Sequence, residues 1–248
     1  MKQFSDLTNY NGVIQSLEVN AYGESGLGQI SGNTTKLKLA TVDVNDALDD
    51  YTYLAIENSG TWQWDDPNHT KYPTIKANIV ATQRDYSFTV DEQGYYILDI
   101  YKIAILQSAT ATLYEELEPV DVQSDDNTAY KFNDTATGVP AKYDKTANGI
   151  IFDVIPNYNA TGGLLVYINR EANHFLSSDT TKVPGVPVFH VDYLCIRAAE
   201  RYARRNSLAT YAGLRLERLE RERDVKAYFG SRQKDVRKKL TMRSIRYR

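Results

Sequence analysis

Apolar residues recur at intervals of three and four at both ends of this chain and at intervals of two in its middle. That change of period constrains the fold more than any single motif does. Leu37, Ala40, Val44, Leu48, Tyr51 and Ala55 form one stripe, with Asn33, Thr34 and Thr35 placed to cap a helix and Gly60 placed to end it. A shorter helix is expected over residues 13–21, followed by Gly23, Gly26, Gly28 and Gly32, which together read as a mobile loop. Between residues 72 and 171 the composition turns to strands, expected over 84–89, 95–106, 110–117, 148–155 and 163–170. In the second of these, Ile97, Asp99, Tyr101, Ile103 and Ile105 fall on one face and Leu98, Ile100 and Lys102 on the other. Val183-Pro184-Gly185-Val186-Pro187 interrupts any ladder, because its prolines lack the amide donor a sheet needs.

Helical spacing then returns. Val188, Val191, Cys195, Ala198, Ala199, Tyr202 and Ala203 make an apolar stripe, and Asn206-Ser207 marks a break. A last helix runs from Leu208 to about Phe229 and carries Tyr211, Ala212, Leu216 and Leu219. The expected fold class is therefore α+β: a helical bundle built from residues 1–60 and 187–229, an inserted antiparallel β domain over 61–186, and an extended basic C-terminal arm over 230–248.

The formal net charge of -3 conceals an asymmetry. Up to Cys195 the chain holds 12 Lys and Arg against 26 Asp and Glu; beyond it, 17 against 6. A basic end of this kind suits an acidic partner surface, nucleic acid, or the acidic body of another copy of the chain. The 19 Tyr favour half-buried strands and wet contact surfaces, where the ring packs and the hydroxyl keeps a polar partner. The single Cys195 forms no internal disulfide, and the first residues carry no apolar signal region, so synthesis in the cytoplasm without a membrane span is expected.

Enzyme chemistry finds little to stand on. His69, His174 and His190 lie far apart with no paired cysteine, which is not the spacing of a metal site. The pairs Asp49-Asp50, Asp65-Asp66, Glu115-Glu116 and Asp125-Asp126 offer carboxylates for glycoside hydrolysis, but adjacent acids in polar segments ordinarily face solvent. The segment 26–32 has the glycine content of a phosphate loop without its lysine or its preceding strand. Cys195 sits on an apolar stripe, where a thiol behaves as a small hydrophobe. Trp62 and Trp64 suit a sugar or base platform, and suit a core or interface better. No catalytic residue, cofactor or metal is expected.

Against this background the order of features resembles the head-to-tail connector, or adaptor, proteins of tailed bacteriophages. The resemblance covers about residues 44–220. It rests on Trp62-Gln63-Trp64-Asp65-Asp66-Pro67-Asn68, Tyr72-Pro73, the run from Thr82 to Phe88, Val139-Pro140-Ala141-Lys142-Tyr143, and the run from Asn148 to Asp153. It continues through Gly163 to Arg170 and Asp179 to Pro187, and ends on the helix pair. It implies a helical bundle with an inserted β domain, assembled as a ring of about twelve copies beneath the portal. Its partners would be further copies of itself, the portal protein and downstream tail or neck proteins. DNA would pass through the lumen without sequence-specific binding, and the protein's place would be the neck of the virion. The competing classes are a nucleic-acid-binding protein acting through its basic end and a carbohydrate-binding or hydrolysing tail protein. The arm supplies the candidate partner-binding residues: Tyr228, Phe229, Arg232, Lys234, Arg237, Lys238, Lys239, Leu240, Arg243, Ile245, Arg246 and Arg248. Its cations would steer encounter while its apolar residues supply burial.

Overall fold

The computed structural model describes residues 2–59, 73–92, 94–122, 132 and 135–232. Expectations that fall on Gly60, Trp62, Trp64, Asp65, Asp66, His69, Asp125, Asp126 and the arm from Lys234 onward lie outside the described residues. The fold is mixed α+β, and the chain divides into two compact units. Residues 1–60, 175–181 and 187–248 form the first; residues 61–174 and 182–186 form the second.

The first unit is helical. Helix α1 (Val13–Tyr22) buries Val13, Ile14, Leu17 and Ala21, the one-sided spacing a helix needs to pack. Helix α2 (Thr34–Ser59) starts where the sequence places its cap: Asn33 Oδ1 accepts the amides of Thr35 at 3.1 Å and Lys36 at 3.0 Å. It buries Ala40, Val44, Ala47, Leu48, Tyr51, Leu54 and Ala55. Helix α3 (Val191–Arg205) is the central element and packs against α1, α2 and the last helix, which is why Leu194, Cys195, Ala198, Ala199, Tyr202 and Ala203 are all buried. Val188 does not join that stripe. It lies in a single 3₁₀ turn (Val188–His190) ahead of the helix and is 64% exposed.

Helix α4 (Tyr211–Arg232) differs from expectation in which residues it buries. Leu214, Val225 and Phe229 face inward, whereas Leu216 is 67% and Leu219 44% exposed. Arg218 and Glu222 occupy the inward face between Leu214 and Val225, so pure apolar spacing misplaces the stripe.

The glycine-rich segment is folded rather than loose. Residues Gly23–Gly26 make a 3₁₀ turn, Gly28 adopts a φ of 82° that other residues resist, and the Glu18 side chain holds the backbone from Gly28 onward.

The second unit is built from strands β1 (Thr74–Ile79), β2 (Asp85–Ser87), β3 (Ile97–Leu106), β4 (Tyr114–Glu116), β5 (Glu118–Pro119), β6 (Thr137–Gly138), β7 (Lys142–Thr146), β8 (Gly149–Phe152), β9 (Ile155–Pro156) and β10 (Ala160–Arg170). One sheet has the order β1-β10-β3-β4, entirely antiparallel. A second has the order β2-β8-β7-β5, antiparallel except where the two-residue β5 runs parallel to β7; β6 and β9 form a short parallel pair. Ile75, Ile79, Tyr86, Ile103, Ile105, Tyr143, Ile150, Phe152, Leu164, Val166 and Ile168 share one core.

Strict alternation along β3 fails at Tyr101. Tyr167 of β10 pairs with Lys102 and Ile168 pairs with Ile100, so Tyr101 is the extra residue of a bulge. The bulge shifts the parity, which brings Ile100 into the same core as Ile103 and Ile105, although simple counting puts them on opposite faces. Gly149 is required where β8 meets β2, because a Cβ there would lie 2.1 Å from the carbonyl oxygen of Tyr86.

Candidate partner-binding surface

Helices α2 and α3 run antiparallel, and their facing edges carry opposite charges at helical spacing. Arg197, Arg201 and Arg205 ascend α3 at steps of four while Asp50, Asp46 and Asp43 descend α2. Arg197 Nε donates to Asp50 at 2.8 Å, Arg201 reaches Asp46 at 2.8 Å and Asp50 at 3.1 Å, and Arg205 grips both oxygens of Asp43. Glu200 continues the network to α4, accepting from Arg197 at 2.7 Å and pairing with Arg218 at 3.1 Å. Arg218 also meets Glu222, which holds Lys226 at 3.0 Å. Half-buried ladders of this kind fix register more than they add stability.

The ladder changes the meaning of the charge asymmetry. Part of the basic C-terminal segment is already engaged by the acidic N-terminal segment of the same chain. Arg204, Arg215, Arg221 and Arg223 remain exposed.

The two described aromatic candidates for partner binding are committed internally. Phe229 is fully buried, with its ring 5.9 Å from Tyr51 and 6.0 Å from His190. Tyr228 is half-buried and stands edge-on to Phe189 and to His190, each at 5.0 Å. They anchor the end of α4 to its own unit, and Arg232 is the last residue of that helix. Val188 and Phe189 stay exposed beside this cluster.

His190 is buried, and its Nδ1 lies 2.7 Å from the Tyr51 hydroxyl. Burial pushes the imidazole down from 6.5 to about 4, with Asp224 pulling weakly the other way. The folded state thus binds fewer protons than the unfolded one between those values, so this contribution to stability is complete above pH 6.5 and is lost as pH falls toward 4. Asp43 has the opposite slope. Burial raises its carboxyl from 3.8 to about 6 against the pull of Arg205, so its contribution is complete below pH 3.8 and is lost as pH rises through 6. Comparing the parent with His190→Phe at each pH isolates the first effect. Between pH 7 and 4.5 the parent should lose about 2 kcal/mol more than the variant in urea unfolding of the helical unit. Equal losses would show that the imidazole does not titrate as its burial demands.

The segment 26–32 does cradle an anion, and the anion is its own. The buried Glu18 carboxylate accepts the backbone amides of Gly28 at 3.0 Å, Ile30 at 2.8 Å and Ser31 at 2.6 Å. These are the donors a phosphate would otherwise use. Glu18→Ala should cost about 2–3 kcal/mol locally, because three amides lose a charged acceptor. Hydrogen exchange at those three amides should accelerate markedly; unchanged protection would mean the loop holds itself.

Cys195 forms part of the floor of a cleft of about 330 Å³ lined also by Lys2, Ser16, Asp192, Glu217 and Arg221. Burial pushes its thiol up to about 11, which leaves it protonated and unreactive near neutrality. Among the carboxylate pairs, Asp50 belongs to the arginine ladder and Glu116 pairs with Lys102 at 2.6 Å. Among the described residues, no group of three or more His, Cys, Asp and Glu side chains is placed to hold a metal ion, and no helix is long and apolar enough to cross a membrane.

The arginine ladder is missed by a reading of the sequence alone, although its signal is present: Arg197, Arg201 and Arg205 recur at four, and Asp43, Asp46 and Asp50 at three and four. Glu18 has no such signal, because a lone glutamate in a helix is ordinarily solvated. Comparison with protein-family models gives no match, and comparison with curated proteins gives none.

Proposed function

We propose that the chain is a structural component of the neck of a tailed bacteriophage, forming a ring that joins the portal to the tail and surrounds the DNA channel. The observation that carries this reading is the combination of a helical unit drawn from both chain ends, a β unit between them in the sequence, and a segment beyond α4 that holds seven Lys and Arg against one Asp. The order of sequence features shared with adaptor proteins supports it. In this reading the bundle is a helical frame into which the β domain is inserted, and the ring holds about twelve copies by closed symmetry. The arm binds the portal, with Arg232, Lys234, Arg237, Lys238, Lys239, Arg243, Arg246 and Arg248 supplying charge and Leu240 and Ile245 supplying burial. The protein is not an enzyme, acts without cofactor or metal, and resides in the virion after synthesis in the host cytoplasm.

The test is co-sedimentation of the purified chain with portal protein. Complex formation that survives moderate salt supports the neck reading. A chain that ignores portal but binds duplex DNA, with affinity falling steeply in proportion to the phosphates neutralised, is a nucleic-acid-binding protein instead.

A further inference from the structure

The chain has seven phenylalanines, all among the described residues, and one of them is placed unlike the rest. Phe4, Phe132, Phe152, Phe175 and Phe229 are buried and Phe88 is half-buried, whereas Phe189 is 61% exposed. Its neighbour Val188 is 64% exposed. A single apolar residue at a surface needs no explanation, but these two are consecutive, and the Phe189 ring continues into that of the half-buried Tyr228, 5.0 Å away.

The pair is also held in place from within. Pro187 restricts the backbone that enters the turn, the His190 amide donates to the Pro187 carbonyl at 2.8 Å, and the Val191 amide donates to that of Val188. His190, immediately after Phe189, is buried against the Tyr51 hydroxyl, and its ring stands 4.4 Å from that of Phe189. Exposed apolar side chains on a turn pinned in this way lose little conformational freedom when a partner covers them.

The position of the pair says what covers it. Tyr228 lies one turn before Arg232, about 6 Å along α4, and residues 233–248 follow with seven Lys and Arg against one Asp. A protein surface that takes up those cations is acidic, and it reaches the pair at the root of the arm. Along α4 the exposed Asp224 stands a turn to the other side of Tyr228, so positive charge rises toward the arm.

We infer that Val188 and Phe189 are the apolar anchor at the root of the arm, seated in an apolar socket of an acidic portal surface while the arm supplies the charge. This rests on the neck reading for the identity of the partner. An apolar, aromatic centre with charge at its rim is the usual division of labour in an interface: the centre supplies burial and the rim selects the partner. The role of anchor thereby passes from Phe229, which the fold takes inside, to Phe189, which it presents at the same end of α4.

The test measures capture of full-length chains by immobilised portal protein. Val188→Ser with Phe189→Ser should weaken capture by about tenfold to a hundredfold, while the salt dependence of the remaining affinity stays that of the parent, because the arm is untouched. Two single replacements at Val188 leave the aromatic rings in place and probe the socket's surroundings. Val188→Glu should weaken capture more than Val188→Lys, since an acidic rim repels the first and attracts the second. Helical circular dichroism unchanged from the parent certifies that the variants fold. Parental capture by the double variant, or equal effects of glutamate and lysine at 188, would overturn the inference and leave the neck reading standing. So would a double variant that captures portal normally and loses self-association, which makes a second copy the occupant, or one that loses only affinity for duplex DNA. A parent chain that never captures portal would retire the neck reading and the inference with it.

Discussion

Replacing Asp91 with alanine is expected to destabilise the β unit by about 3–5 kcal/mol, the cost of removing one member of a buried ion pair. Arg170, at the end of β10, has a fully buried side chain, and Asp91 is its carboxylate partner, itself only 6% exposed. Tyr95 lies beneath the guanidinium, with its ring centre 4.7 Å away. Burial already works against the charge and pulls the guanidinium down to about 10. Asp91 has a second task, because its other oxygen accepts the Tyr95 amide at 2.9 Å. Asp91→Asn keeps an acceptor for that amide and gives up only the charge, so it should lose less, about 2 kcal/mol. The double replacement Asp91→Leu with Arg170→Met should be less harmful than Asp91→Ala, since removing both charges avoids stranding either one. With two compact units the chain is not a two-state system, so the measurement is hydrogen exchange of β3 and β10 amides in increasing urea. Equal protection in the parent and in Asp91→Ala would show that the pair holds nothing in place.

Deleting residues 233–248 is expected to reduce portal capture by about a hundredfold or more while leaving the helical unit intact. The deleted segment carries seven Lys and Arg and one Asp, together with Leu240 and Ile245. The place of the cut matters. Ending the chain at Lys226 would also remove Phe229, which is fully buried against Tyr51 and His190, and emptying that site costs about 3–5 kcal/mol. Loss of docking would then be confused with loss of folding. Ending it at Arg232 preserves the aromatic cluster. If the arm docks on protein, the truncated chain disappears from portal complexes and retains whatever weak DNA affinity the exposed arginines give. If the arm serves DNA, the truncated chain keeps its portal affinity and loses the salt-sensitive component of DNA binding.

The boundaries between helical and strand regions are legible in the sequence because a change of period from three and four to two is a local property of the chain. The cap at Asn33, α1, and the strands around residues 97–106 and 160–170 come from that local signal. The bulge at Tyr101 is not legible, because it depends on how β10 pairs with β3, and alternation counted along one strand cannot see its partner. Helix α4 misleads for a related reason. Leu216 and Leu219 look like a core stripe until Glu200 on another helix claims Arg218 and turns a polar face inward. The loop at 26–32 shows its glycines and hides its order, because the carboxylate that organises it comes from α1, ten residues away at the nearest contact. Phe229 reads in the sequence as a free anchor at the edge of the basic arm, and the fold commits it to its own interior. Local preference is thus written in each segment, and the errors fall where a partner from a distant segment decides.

The most direct test of the neck assignment is negative-stain electron microscopy of the purified full-length chain, imaged alone and after mixing with portal protein. Closed rings of about twelve subunits seated coaxially on the portal, with an open lumen wide enough for duplex DNA, are the expected result. Portal particles that remain bare at saturating concentrations of the chain would contradict it.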